Sequence, residues 1–146
     1  MSAVLAAAGS PLSPQTKEWL KGATAMAAGA FPDGGGAHVE RECAIGHAWL
    51  RTSPTEVTQP ISAGGSSWLS ADVRLDDRAN LVAALRGRGT DVLGHAADAE
   101  LLLHAYHAWS ERCLRFIEGD FAFALWDARR HRLFCARDQL GVTPLY

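Results

Sequence analysis

Residues 119–127 read GDFAFALWD and residues 132–138 read RLFCARD, and these two aromatic, apolar stretches decide the fold. Between them stands a polar link, Ala128-Arg129-Arg130-His131. Two short apolar runs joined by a few polar residues are typical of a β-hairpin. The sequence therefore predicts that 119–127 and 132–138 are adjacent antiparallel strands.

Upstream of this hairpin the pattern alternates between strands and helices. Strands are predicted over 2–8, 43–51 and 66–75, and in the last of these Trp68 and Ser70 share one face while Leu69 and Ala71 share the other. Loops are predicted over 32–36, which contains three glycines, and over 53–60, which contains two prolines. The mixture favours an α+β domain in which helices cover a sheet.

Three helices are predicted from their start signals and periodicity. The first runs from Pro14 to Ala28 behind a Ser13 N-cap, with Trp19, Leu20 and Met26 on its inner face. The second follows Asp76 or Asp77 and ends at Gly87 or Gly89. The third starts near Asp98 and carries an apolar stripe of Leu101, Ala105 and Trp109, followed by a short helix over 111–116.

Length and composition bound the class of protein. The 146 residues fit one domain over 1–146, with 48% hydrophobic residues and a net charge of −2. This balance gives no electrostatic reason for a nucleic-acid partner, and no apolar run is long enough to span a membrane. Cys43, Cys113 and Cys135 are widely spaced, which suits a reducing compartment. We expect a soluble, cytoplasmic protein.

The carboxy-terminal third also carries a family resemblance. The relevant segments are DAELLLHAY at 98–106, EGDFAFALWD at 118–127 and ARDQLGVTPLY at 136–146. They resemble the D-x-E helix, the G-x-F-A-F-x-x-W-D strand and the A-R-D-x-x-G-x-x-P-L-Y segment of class II glutamine amidotransferase domains, as found in asparagine synthetases. Weaker matches upstream are Pro32-Asp33-Gly34, Ile45-Gly46-His47 and Gln59-Pro60. The resemblance implies an N-terminal-nucleophile hydrolase fold, a four-layer sandwich of two mainly antiparallel sheets flanked by helices.

The resemblance also implies a set of site positions, at which this sequence departs from the family. The family's nucleophile is a cysteine after the initiator Met, with its own α-amine as base, and Ser2 stands there. Its oxyanion-hole Asn-Gly pair is replaced by Ser70-Ala71. Its carboxylate-binding Arg is replaced by Trp49, with Arg51 two residues further, about 6–7 Å along the same strand face.

Asp98 matches the aspartate that binds the amino group of glutamine in the family, and it also suits a helix N-cap. With the other clamp residues replaced, capping is the favoured interpretation of Asp98. His104 and His107, i and i+3 on one helix, offer an alternative metal-binding pattern, although a polar helix face gives the same spacing. We predict no metal site and no cofactor in this chain.

Two functional hypotheses follow from the resemblance. The favoured one is a degenerate glutaminase-type domain, a non-catalytic accessory to an ATP- and Mg-dependent, amide-forming synthetase domain of the β-lactam-synthetase or lasso-peptide-cyclase kind. The alternative is an active glutaminase domain that uses Ser2 to hydrolyse glutamine for an asparagine synthetase. The sequence stops at Tyr146, within the family's P-L-Y segment. We therefore expect a truncated domain that self-associates or binds a carboxy-terminal synthetase domain, in the same or a separate chain.

Overall fold

A computed structural model describes residues 2–51 and 56–146 and shows two antiparallel sheets. The first sheet has the order β1-β3-β2, from β1 (Ala3–Ala8), β2 (Gly35–Val39) and β3 (Cys43–Ala48). The second has the order β4-β5-β6-β7, from β4 (Ile61–Ser62), β5 (Ser67–Leu75), β6 (Gly119–Asp127) and β7 (Arg132–Arg137). The predicted hairpin of β6 and β7 is confirmed, with Asp127 paired to Arg132.

Helices cover the outer face of each sheet. Helix α1 (Pro14–Ala30) packs on the first sheet, and α3 (Asp98–Trp109) packs on β5 and against α2 (Arg78–Gly87). A 3-10 helix follows over Ser110–Arg115. The order of layers is thus helix, sheet, sheet, helix, and the predicted α+β sandwich is confirmed. Among the described residues, no helix is long and apolar enough to cross a membrane.

The largest core lies between the second sheet and its helices. Leu69, Ala71 and Phe123 point into it from the strands, and Leu101 and Leu102 from α3. Opposite faces of the same strands point at the first sheet, because side chains alternate along a strand. The alternation predicted for residues 66–75 is therefore confirmed, as is the apolar stripe of α3.

The predicted inner face of α1 is confirmed for Leu20 and wrong for Trp19 and Met26. Trp19 and Met26 are 64% and 81% exposed, whereas Leu20 and Thr24 are buried. Thr24 can point inward because its hydroxyl donates to the Leu20 carbonyl at 2.8 Å, which satisfies the polar group inside the helix. The helix packs this small residue directly against Gly46 of β3.

Two predicted boundaries also need correction. Gly35 and Gly36 begin strand β2 instead of completing a loop, because glycine allows the close approach of β2 to β3. A Cβ atom at Gly35 would lie 2.9 Å from the carbonyl oxygen of His47. Strand β3 ends at Ala48 and does not continue to residue 51. The predicted loop over 53–60 lies partly outside the described residues.

Candidate functional site

A cavity of about 650 Å³ opens beside the second half of β5, where the start of β1 and the start of α3 meet. Ser2, Ala71 and Asp98 line it, so tertiary structure brings together three of the five predicted site residues. Its other polar lining includes Gln59 and Asp72. The two remaining predicted residues, Ser70 and Arg51, do not line this cavity.

Ser2 lines this cavity and is held by one backbone and one side-chain hydrogen bond. Its nitrogen donates to the Asp72 carboxylate at 3.0 Å, and its hydroxyl accepts from the Leu50 backbone N–H at 3.3 Å. Burial raises the pKa of Asp72, and the hydrogen bond from Ser2 acts in the opposite direction. Asp72 therefore anchors the first residues of β1 to β5.

The hydroxyl of Ser70 points between the two sheets, away from the cavity. Ser70 is fully buried, donates to the Gly46 carbonyl at 2.9 Å and contacts Nδ1 of His47 at 2.9 Å. Burial lowers the pKa of His47 to about 4, so its imidazole is neutral near pH 7. Ser70 and His47 thus form a polar link between β3 and β5.

The peptide of Ala71 is held by the side chain of Gln59. The Ala71 N–H donates to Oε1 of Gln59 at 2.7 Å, and Nε2 of Gln59 donates to the Ala71 carbonyl at 2.9 Å. This pair of bonds imitates the pairing of a neighbouring strand. The N–H that would form one side of an oxyanion hole is consequently occupied within the protein.

Arg51 stands outside the sheet, which corrects the prediction that it shares a strand face with Trp49. The chain leaves β3 after Ala48, since the Trp49 N–H bonds the Gly34 carbonyl and the Arg51 N–H bonds the Asp33 carboxylate at 2.8 Å. The Arg51 guanidinium is exposed and lies 6.0 Å from the centre of the Trp49 ring.

Asp98 is the first residue of α3, and the prediction that it caps the helix is wrong. Ala97 occupies the N-cap position, and its N–H donates to the Glu100 carboxylate at 2.8 Å. The Asp98 carboxylate instead accepts from the Leu75 N–H at 2.8 Å and forms an ion pair with Arg78. It therefore fastens α3 to the end of β5 and to the first turn of α2.

Replacing Asp98 tests this structural role. We expect Asp98→Ala to lower the free energy of unfolding by about 2–4 kcal/mol, because it leaves the Leu75 N–H without its acceptor and removes the ion pair of Arg78, which then bonds only the Ala96 carbonyl. Asp98→Asn keeps an oxygen for Leu75 and should cost about 1 kcal/mol. Urea denaturation measures both values, and equal losses in the two variants would contradict the bonding described here.

Sequence reasoning missed Asp72 and Gln59 as residues that shape the cavity. Gln59-Pro60 had matched a family motif, but the motif says nothing of where the amide points. Asp72 alternates with Ala71 on β5, so its face was predictable while its bond to Ser2, 70 residues away, was not. Among the described residues, no group of three or more His, Cys, Asp or Glu side chains gathers as a metal ion would need.

Comparison with known proteins assigns the family. Residues 47–146 match the model of a glutamine amidotransferase domain, and this range includes β5, β6, β7 and every residue that lines the cavity except Ser2. The chain belongs to this family. The match covers most of the sequence and agrees with the resemblance of the carboxy-terminal third.

Several curated proteins that are similar to the chain carry asparagine-synthetase names. The chain is 35% identical over 119 residues to the glutamine-hydrolysing asparagine synthetase 3 of Bacillus subtilis (strain 168), which covers 79% of the chain and 19% of that protein. It is 30% identical over 117 residues to asparagine synthetase 2 of Oryza sativa subsp. japonica, covering 79% and 19%. A putative asparagine synthetase of Mycobacterium tuberculosis (strain ATCC 25618 / H37Rv) is 44% identical over 62 residues, 42% of the chain and 10% of that protein. The chain thus spans about a fifth or less of these relatives.

Proposed function

We propose that this glutamine amidotransferase domain does not hydrolyse glutamine and serves as a non-catalytic accessory to an ATP-dependent, amide-forming synthetase domain. One observation carries the proposal: the donors at the two oxyanion-hole positions are already used inside the protein. The Ala71 N–H bonds Gln59 at 2.7 Å, and the Ser70 hydroxyl bonds Gly46. An oxyanion-hole donor must instead be free for the developing charge, and losing one costs roughly 3–4 kcal/mol in the transition state.

The environment of Ser2 supports the same conclusion. In an N-terminal-nucleophile enzyme, the α-amine must accept the hydroxyl proton. The nitrogen of Ser2 lies 3.0 Å from the Asp72 carboxylate. If the initiator Met is removed, that carboxylate favours the protonated amine, which cannot act as a base. A serine is also a weaker nucleophile than a cysteine, and the first cysteine of this sequence is Cys43.

The residues at the glutamine-binding positions also support a non-catalytic role. Trp49 takes the place of the family's carboxylate-binding arginine, and Arg51 is directed to solvent beyond the end of β3. Asp98, which would bind the amino group, is already paired with Arg78. Arg51 is therefore not placed to bind the substrate carboxylate beside Ser2. Binding of the glutamine amino group by Asp98 would have to break the ion pair between Asp98 and Arg78.

The length of the relatives supports a synthetase domain as the partner. They carry asparagine-synthetase names and are about five times as long as the part this chain matches. We propose that the domain works with a synthetase domain that uses ATP and Mg, in the same or another chain, where the amine comes from the substrate itself as in β-lactam synthetases and lasso-peptide cyclases. The domain itself needs no cofactor in this scheme.

One observation favours an active glutaminase as the second candidate. Ser2, Ala71 and Asp98 line one cavity large enough for an amino-acid substrate. In that case the Gln59 side chain would have to swing away from Ala71 when glutamine binds. The Ser2 hydroxyl would then attack the side-chain amide.

Glutamate release from glutamine separates the two candidates. We expect the purified chain, with removal of Met1 verified by mass, to release no glutamate above background, and Ser2→Ala to behave identically. Ser2→Cys restores the stronger nucleophile and should also stay inactive, because the Ala71 N–H remains bonded to Gln59. Wild-type turnover that disappears in Ser2→Ala would overturn the proposal. Turnover gained by Ser2→Cys alone would show that the oxyanion hole is intact and contradict its main support.

A further inference from the structure

A second cavity, of about 210 Å³, lies at the opposite end of the β5–β6 pair. There Ser67 opens β5 and pairs with Asp127, the last residue of β6. The last turn of α3 and the β6–β7 loop complete the walls. Each of its eight lining residues carries a polar side chain, so it differs in kind from an apolar ligand pocket.

His107 of α3 forms one wall and is held by Ser67. Its Nε2 atom lies 2.6 Å from the Ser67 hydroxyl. Burial lowers the pKa of His107, and its electrostatic interactions with His104 and Arg129 lower it further, while Asp127 acts in the opposite direction. The imidazole is therefore neutral near pH 7.

The one acidic side chain of the cavity is already satisfied. Asp127 accepts from the Tyr106 hydroxyl at 2.9 Å and from the backbone N–H groups of Arg129 and Arg130 at 3.0 and 3.2 Å. Arg130 donates to the Ser110 hydroxyl and approaches Asp127. The Arg129 guanidinium has no hydrogen-bond or ion-pair partner among residues 2–51 and 56–146. Two arginines against one carboxylate leave a surplus of one positive charge.

Ser110, in the wall of the cavity, has an unusual backbone conformation. Its φ of 54° and ψ of −139° lie in a region that L-residues rarely adopt. Strained residues of this kind cluster at binding sites. Here the strain brings the Ser110 hydroxyl into the cavity beside Arg130.

We infer that this cavity binds a small oxyanion of the phosphate class, with the Arg129 guanidinium as its principal charged donor and the Ser66, Ser67 and Ser110 hydroxyls beside it. Arginine suits such a ligand because its planar donors match the oxygens of phosphate. The volume is below the roughly 300 Å³ of ordinary small-molecule pockets. It therefore fits an inorganic anion or the head of a phosphate monoester.

Calorimetric titration at constant ionic strength tests the site. Inorganic phosphate should bind the whole chain with a dissociation constant of about 1–10 mM, as expected for a few charge-assisted hydrogen bonds at an open site. O-phosphoserine, titrated in parallel, distinguishes the two sources: tighter binding than phosphate indicates a monoester, and equal or weaker binding indicates the free anion.

Two variants localise the bound ion. Arg129→Gln should weaken phosphate binding about tenfold, because it removes the unpaired guanidinium. Arg137→Gln removes the same charge from the far end of β7, where exposed Arg137 pairs with Ala122, five residues before Asp127 on β6, and it should change the dissociation constant by less than about twofold. Equal weakening by both variants, or no saturable binding in the wild type at tens of millimolar, would overturn the inference.

The pH dependence of sulfate binding gives a second readout, since sulfate keeps its charge from pH 5 to 8. Sulfate should bind more tightly as the pH falls below about 6.5, because protonated His107 adds a positive charge to those of Arg129 and Arg130, beside Asp127 and His104. His107→Gln should flatten this dependence. A dependence that persists unchanged in His107→Gln would place the anion elsewhere and contradict the assignment.

Discussion

Gly119→Ala is expected to destabilise the domain more than any other single-methyl change proposed here. Gly119 opens β6 with φ of +144°, and an added Cβ would lie 2.0 Å from the backbone carbonyl oxygen of Arg74 on β5. Neither backbone can move without breaking the pairing of Leu75 with Gly119. Backbone strain and the clash should each cost about 1–3 kcal/mol, a total of about 2–6 kcal/mol.

Gly22→Ala is the matched control for Gly119→Ala. Gly22 lies within α1, and an added Cβ would meet no atom within 4 Å. Alanine has the higher helix propensity, so this variant should gain about 0.5–1 kcal/mol. Urea denaturation followed by circular dichroism measures both. A Gly119→Ala variant as stable as the wild type would mean that β5 and β6 do not approach as described.

Acidification is expected to destabilise the domain through His47. Its pKa is about 4 in the folded protein, because burial disfavours the charged imidazole, and about 6.5 in the unfolded chain. Between pH 6.5 and pH 4 the His47 imidazole is protonated in the unfolded chain but stays neutral in the folded protein. The stability due to neutral His47 is thus fully present above pH 6.5 and is lost as the pH falls towards 4, by about 2–3 kcal/mol between pH 7.5 and 4.5.

His47→Gln isolates this contribution from that of the carboxylates. The amide can still bond the Ser70 hydroxyl, which lies 2.9 Å from Nδ1 of His47, but it does not titrate. The variant is expected to start less stable at pH 7.5 and to lose less stability on acidification. His38→Gln, which changes a partly exposed histidine on β2, serves as control. Equal slopes of stability against pH in the wild type and His47→Gln would mean that folding does not lower the pKa of His47, which would contradict its burial as a neutral imidazole.

The periodicity of hydrophobic residues predicted those strands and helices in which one face is buried along the whole element. The alternation of residues 66–75, the hairpin of β6 and β7 and the apolar stripe of α3 were predictable, because each buries one continuous face. The inner face of α1 was not predictable from hydrophobicity. Thr24 is buried there and Trp19 exposed, since the close contact with Gly46 selects a small side chain.

In the candidate site, too, the sequence predicted the positions of residues but not their hydrogen-bond partners. The sequence predicted Ser2, Ser70, Ala71, Asp98 and Arg51 as site positions from their order along the chain. It did not show that Gln59 occupies the peptide of Ala71 or that Asp98 pairs with Arg78. These bonds join segments 12 and 20 residues apart, and no local pattern encodes them.

By itself, therefore, the sequence determined the family and most strand and helix types, because these depend on residue identity and on periodicity within one segment. Only the tertiary structure decided which donors are free. The Ser70 hydroxyl turns to Gly46, and the Arg129 guanidinium stays unpaired among the described residues. A hydrogen-bonding group takes whichever partner folding brings within about 3 Å, and that partner is set by packing between distant segments.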